Sequence, residues 1–285
     1  MRKDQMLPAR RSVLGIAACL GAAATTGLLF TERATVPGRT TTPRPAAGPI
    51  PAAGPAAAAG PPLKATTYRL QPMTTHAPPN LRRTMPPVRR RPFLKVSEAG
   101  RDMVLTFDDG PDPRYTPDIL GTLREYGVRA MFFVCGEMAT ANRDLLREMA
   151  GDGHVVGNHS WSHPLIPRLP PSAIRAELGR TSEVVEETLG AAPLWYRAPF
   201  GAWNRHSFEI GAEFGMEPLA WTLDTLDWTE PGTGTIVRRV MDGAGPGVIV
   251  LSHDAGGDRS QSVSALRRYL PELLDAGYRI TLPPR

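Results

Sequence analysis

After Glu98 the chain alternates short apolar runs with segments of helical period, one pair roughly every 25 residues. The runs predict strands at Met103 to Phe107, Ala130 to Val134, Leu194 to Arg197, Glu217 to Thr222, Gly247 to Ser252 and Tyr278 to Leu282. Between them the polar and apolar positions predict helices at Pro117 to Tyr126, Arg143 to Ala150 and Pro171 to Leu189. In the last of these, Ile174, Leu178, Val185 and Leu189 follow the three-four spacing of one helical face. Further helices are expected at Ser207 to Phe214, Ile236 to Met241 and Ser262 to Leu274. Strand and helix in alternation imply an α/β fold with a parallel sheet. The number of repeats points to an incomplete, distorted (β/α) barrel of about seven parallel strands over residues 98–285. No internal repeat is visible.

Upstream of Glu98 the pattern is different. Residues 1–34 hold Arg10-Arg11-Ser12-Val13-Leu14-Gly15 and then no charge as far as Phe30. A basic start followed by an uncharged stretch reads as an export signal with a twin-arginine-like pair, or as an N-terminal membrane anchor. The uncharged residues 12–30 are about long enough to span a bilayer, so cleavage and retention both stay open. Residues 35–97 carry 14 prolines between Thr35 and Pro92 and no acid between Arg33 and Lys95. Such a tract buries too little apolar surface to offset its ordering entropy, which predicts a disordered, extended linker.

Charge separates the same regions. Of 285 residues, the first 97 contain 15 Lys+Arg and two acids, a balance of +13, while residues 98–285 contain 18 Arg and 26 acids, a balance of −8. The basic pI therefore belongs to the tail, and a nucleic-acid enzyme is excluded as a reading of the folded part. The tail is suited to contact anionic wall polymers or lipid headgroups, or to act as a solubilising spacer. Only Cys19 and Cys135 are present, so neither a disulfide framework nor a multi-cysteine zinc site is available. A metal would have to use His and carboxylate ligands.

The chemistry-bearing residues fall at the carboxyl ends of the expected strands, where barrels of this class place their reactive groups. Asp108-Asp109-Gly110-Pro111 follows the first strand. Alternate side chains of an extended segment point apart, which lets one carboxylate hold a metal while its neighbour stays free as a base. His159 and His163, four apart in His-Ser-Trp-Ser-His, fit one side of a helical turn and can share an ion; His154 reads as a structural histidine. Three clusters follow: Arg197-Ala198-Pro199-Phe200-Gly201, Asp224-Thr225-Leu226-Asp227-Trp228 and Leu251-Ser252-His253-Asp254. Taken singly, Arg197 reads equally as a surface ion pair, Asp227 as a helix cap and His253 as a core residue.

Together and in this order, the five segments resemble the motif series of the polysaccharide deacetylases, carbohydrate esterase family four or the NodB-homology domain, over about residues 100 to 282. The resemblance implies that Asp109, His159 and His163 bind one divalent metal, usually zinc, with cobalt or another ion as alternatives. It implies that Asp108 is the general base toward the attacking water, oriented by Arg197. His253 would be the general acid, tuned by Asp227. Leu251 and Trp228 would wall the pocket for the acetyl methyl, and the backbone N–H of Phe200, where a Tyr is frequent, would meet the oxyanion. The implied reaction is hydrolysis of an N-acetyl group on a polymeric amino sugar, peptidoglycan or chitin oligosaccharide, by an exported, wall-associated or membrane-associated monomer.

Two alternatives follow from the same residues: an esterase on O-acetylated xylan or amidase on a small molecule, and a wall-glycan binding protein with a dead site. All five tryptophans lie between positions 161 and 228. Trp161, Trp203 and Trp228 are expected on loops lining a sugar groove, and Trp195 and Trp221 in the core with Cys135.

Overall fold

The computed structural model describes residues 85–97 and 100–283. The expected export segment or anchor, residues 1–34, and most of the expected linker lie outside the described residues. Within them, eight strands are formed: β1 (Asp102–Asp108), β2 (Met131–Val134), β3 (Val155–Asn158), β4 (Trp195–Tyr196), β5 (Glu217–Pro218), β6 (Leu223–Asp224), β7 (Ile249–His253) and β8 (Arg279–Ile280). Seven α-helices lie between them: α1 (Thr116–Glu125), α2 (Gly136–Ala141), α3 (Arg143–Gly151), α4 (Pro171–Leu189), α5 (Arg205–Glu213), α6 (Thr233–Gly243) and α7 (Ser260–Asp275). None of these helices is long and apolar enough to cross a membrane.

Every strand pairing is parallel, in the order β5-β4-β3-β2-β1-β7-β6, with β8 added at the start of β1. This is the incomplete barrel expected from the alternation. Period-two alternation divides its residues cleanly. Met103, Leu105 and Phe107 of β1 face outward and join Phe132, Val134 and Val250 beneath the helices, whereas Val104, Met131, Phe133, Trp195 and Ile249 fill the interior. Helix ends follow local chemistry. Helix α4 spans the predicted residues, opened by Pro171 at its first position and closed by Gly190 in a left-handed conformation (φ 76°). Asn204 and Ser207 form a reciprocal capping box on α5.

Three expectations need correction. Strand β3 was not foreseen, because Val155-Val156-Gly157-Asn158 lacks a run of large apolar residues. Its glycine is required by space: a Cβ on Gly157 would lie 2.7 Å from the Phe133 ring. The strand expected over Glu217 to Thr222 shrinks to the two residues of β5, and an unforeseen strand, β6, starts just beyond it. Strand β5 pairs with β4 at one edge of the sheet and β6 pairs with β7 at the other, so residues 219–222 cross the open seam between them. The third correction concerns the linker, whose last residues belong to the fold. Arg89 bonds Glu217 through two nitrogens at 2.8 and 2.9 Å. Phe93 exchanges backbone hydrogen bonds with Pro218 and Ala220 and sets its ring edge-on to Trp195, and the Val96 N–H donates to Gly247 O. An apolar pair inside the Pro-rich stretch, Phe93 and Val96, thereby plugs the barrel seam. Composition averaged over the tract conceals it.

Candidate active site

The inner face of β1 continues from Val104 through Thr106 to Asp108, which lies opposite His253 in the register of β7. Asp108 is 2 % exposed and Arg197 is fully buried, their Oδ1 and Nη1 atoms 2.7 Å apart. Arg197 reaches across the barrel. Its Nη1 also donates to Thr106 Oγ1 (2.7 Å), its Nε to Leu219 O (3.1 Å) and its Nη2 to Ala220 O (2.9 Å), the last two being carbonyls of the seam-crossing segment. The guanidinium lies over the Phe133 ring at 4.2 Å. A buried cation bonded through all three of its nitrogens fixes one carboxylate oxygen of Asp108 and leaves Oδ2 toward the cleft.

Asp109 follows with positive φ (77°), which turns its side chain away from the strand. His159 follows β3, and its Nδ1–H donates to Arg197 O at 2.8 Å, a carbonyl that can only accept. Its Nε2 lone pair is thereby aimed inward, 3.5 Å from Asp109 Oδ1 and 3.6 Å from Asp108 Oδ2. His163 Nε2 lies 3.4 Å from the same Asp109 oxygen. The helical turn expected between the two histidines is absent. Residues 159–163 form an irregular loop in which Ser160 and His163 take positive φ (68° and 56°). The four-residue spacing thus converges through loop geometry.

Asp109, His159 and His163 each offer one ligand atom, all within 4.8 Å of one another. Asp109 Oδ1 is buried and, among the described residues, has no hydrogen-bond partner. A buried carboxylate oxygen left unsatisfied between two imidazole lone pairs is costly unless a cation sits there, so the donor set fits a divalent ion. Electrostatics agrees. Burial pushes the Asp109 carboxyl up, but His159, His253 and His163 more than reverse this, to about 2. Burial, with His159 beside it, lowers His163, which keeps its lone pair available near neutral pH.

Across the cleft His253 Nδ1 lies 2.7 Å from Asp227 Oδ1, and the His253 backbone N–H donates to Asp227 Oδ2 at 2.9 Å. Burial pulls the His253 imidazole down; the hydrogen bond and charge of Asp227, then the charges of Asp108 and Asp109, raise it to about 9. Asp227 is 1 % exposed and is braced by Ser262 Oγ (2.6 Å), while Arg259 Nη1 donates to its carbonyl at 3.2 Å. Asp254, adjacent in sequence to the histidine, faces elsewhere. It accepts from Thr116 Oγ1 at 2.6 Å and lies so close to Gly110 that a Cβ there would come within 2.1 Å of it.

All ten predicted site residues except Arg197 and Asp227 line one cleft of about 760 Å³, and those two stand directly behind Asp108 and His253. Phe200, in a left-handed turn (φ 60°), is exposed and sets its ring edge-on to His163 at 4.5 Å. Trp228 is exposed on another side, and Leu251 is buried in the wall. Trp161 lines the cleft as expected. Trp221, expected in the core, lines it too, because it follows the short β5 and lies in the seam. Trp203, expected in the groove, stacks on Phe208 and meets Tyr196 edge-on. Cys135 is a buried free thiol whose Sγ also reaches the cleft wall. His154 is structural, its Nδ1 accepting from the Ala130 N–H at 3.1 Å. The supporting residues Thr106, Ser262 and Arg259 were missed. Thr106 had a signal, since it shares the inner face of β1 with Asp108 two residues on; Ser262 and Arg259 had none.

Comparison with known proteins agrees with this geometry. The family model described as polysaccharide deacetylase matches residues 95–219, which covers the Asp-Asp, His-x-x-x-His and Arg-x-Pro-Phe-Gly segments. A chitooligosaccharide deacetylase of Rhizobium leguminosarum bv. trifolii is 35 % identical over 205 residues, 68 % of this chain and 95 % of that protein. A peptidoglycan-N-acetylglucosamine deacetylase of Bacillus cereus is 35 % identical over 184 residues, 64 % of this chain and 67 % of its own length. Among solved structures, a peptidoglycan N-acetylglucosamine deacetylase superposes with a TM-score of 0.64 at 32 % identity, covering 66 % of this chain and 88 % of that one. With a relative matched over nearly its whole length and the five segments gathered around one cleft, the chain belongs to the polysaccharide deacetylase family.

Proposed function

We propose that this protein is a metal-dependent hydrolase that removes N-acetyl groups from a polymeric amino sugar, a peptidoglycan or chitin-type glycan, and releases acetate. The orphaned Asp109 oxygen between two imidazole nitrogens, flanked in one cleft by Asp108 and His253, is the observation that carries it. The names of the matched relatives support the substrate class. Asp109, His159 and His163 would hold one divalent cation; a two-imidazole, one-carboxylate set with an open side suits zinc, with cobalt as a substitute. When bound, such an ion polarises the acyl carbonyl and lowers the pKa of water toward about 7.

The chain's own groups supply the rest. Asp108, with Oδ1 held by Arg197, takes a proton from the attacking water at Oδ2. The oxygen of that water adds to the acyl carbon, and the Phe200 backbone N–H donates to the oxyanion that develops. His253, its Nδ1–H held by Asp227, gives its Nε2 proton to the departing nitrogen as the C–N bond breaks, leaving acetate and a free amine. Leu251 and Trp228 wall the acetyl methyl, and the aromatic faces of Trp161 and Trp221 suit sugar rings. The twin-arginine-like start and the basic tail support export and retention near an anionic wall or membrane.

The test uses the full chain with purified peptidoglycan, chitin oligosaccharides and O-acetylated xylan, measuring acetate and locating free amines. Acetate is expected from the N-acetylated polymers, abolished by dialysis against a strong chelator and restored by zinc. Full activity after chelation, release from xylan alone, or glycan binding with no acetate under saturating zinc each overturns the reading.

A further inference from the structure

The loop that carries His163 is tethered by a residue of a different element, outside the five segments. Both backbone N–H groups ahead of the histidine, those of Trp161 and Ser162, donate to the same oxygen of Glu177, at 2.8 and 2.9 Å. The Ser162 hydroxyl donates to the other carboxylate oxygen at 3.0 Å. Three residues farther along α4, the Arg180 guanidinium lies 3.7 Å over the Trp161 ring. The ring also lies against Gly136 at the start of α2, where a Cβ would come within 2.3 Å of the indole. The Gly136 and Glu137 N–H groups donate to Ser160 O and Trp161 O at 3.0 and 3.2 Å. The whole turn is thus clamped between α2 and α4.

His159 and His163 differ in what holds them. His159 has its ring fixed by Arg197 O, whereas among the described residues no hydrogen bond orients the ring of His163, which is 30 % exposed and sits at positive φ. For a non-glycine residue that conformation is strained and persists only where surroundings over-determine it. Apart from ring contacts with Phe200 and His159, the backbone of its loop sets the direction of its Nε2. We infer that Glu177 is a positioning residue for the cation site: its carboxylate gathers the Trp161 and Ser162 amides and so holds His163 facing Asp109 and His159. The inference rests on the reading of those three residues as the cation ligands.

Zinc alone, titrated by chelator competition into the metal-stripped full-length protein, tests it. Glu177→Ala is expected to weaken zinc binding about 10- to 100-fold, the usual effect of losing a residue that orients a ligand. Glu177→Gln keeps an acceptor oxygen for both amides and is expected to stay near wild type, a rescue that a general requirement for charge does not give. His163→Ala is the reference. If it binds zinc like wild type, the ligand set itself is wrong; if it weakens and Glu177→Ala does not, only the clamp is wrong. A Glu177→Gln variant as weak as Glu177→Ala also overturns the clamp. Circular dichroism verifies folding. Should Glu177→Ala not fold, Glu177→Asp replaces it, being one methylene too short to reach both amides.

Discussion

In the proposed mechanism the reacting group on the β1–β4 flank of the cleft is a buried carboxylate, Asp108, and a buried cation, Arg197, is its support. On the β7 flank the signs are exchanged: the imidazole of His253 reacts and the carboxylate of Asp227 supports it. Both pairs sit at 2.7 Å. They differ in how much surrounds them. Arg197 has four acceptors and no solvent, so its pair is held in one geometry. The His253 side chain keeps 12 % of its surface, enough to pass a proton outward. A group that must only accept a proton can be held rigidly by a permanent charge, whereas one that must donate is supported by a partner that raises its affinity for the proton without enclosing it.

The strongest way to break this comparison is to remove each reacting group. Asp108→Asn and His253→Ala should each lower the rate of deacetylation by about 10²- to 10⁴-fold, the range for a positioned acid or base. Steady-state rates across pH should lose the acidic limb in the first variant and the alkaline limb in the second. Identical, unshifted bell-shaped profiles in both would show that the roles are misassigned.

Next in size is the support on the rigid flank. Arg197→Met strands the Asp108 carboxylate in the barrel and should destabilise the fold by about 3–5 kcal/mol, read from denaturant midpoints at pH 7. A loss below about 1 kcal/mol would mean that Asp108 does not depend on its guanidinium. The smallest effect belongs to the open flank. His253 acts only while protonated, so activity falls as pH rises through its pKa, raised to about 9 by Asp227 against burial. Asp227→Asn removes that raising influence, and the alkaline limb should move down toward or below the ordinary histidine value of about 6.5. A limb that stays in place would assign the shift to the other carboxylates.

Much of the site was legible because strands report their own geometry. Asp108 and His253 end runs whose alternation is plain, so Met103 to Phe107 and Gly247 to Ser252 were found and their polar last residues stood out. The early end of the strand expected over Glu217 to Thr222 was not legible. The two residues of β5 and the crossing after them read as one strand, yet the crossing is what leaves the Leu219 and Ala220 carbonyls free for Arg197. Likewise, the spacing of His159 and His163 announced a shared site, while the loop that joins them could not be seen, because its positive φ angles are imposed by contacts from α2 and α4. What the sequence withheld is tertiary: Glu177, Ser262 and Arg259 act through neighbours distant along the chain.

The strap formed by Arg89, Phe93 and Val96 bears on where the autonomous unit starts. A fragment begun at residue 95, where the family match opens, would discard Arg89 and Phe93 while keeping every reactive group. It would leave the Ala220 amide and the Trp195 face bare at the bottom of the barrel. Those atoms belong to, or lie beside, the backbone that Arg197 grips. The last few residues of what composition presents as a tether are therefore the floor on which the base stands.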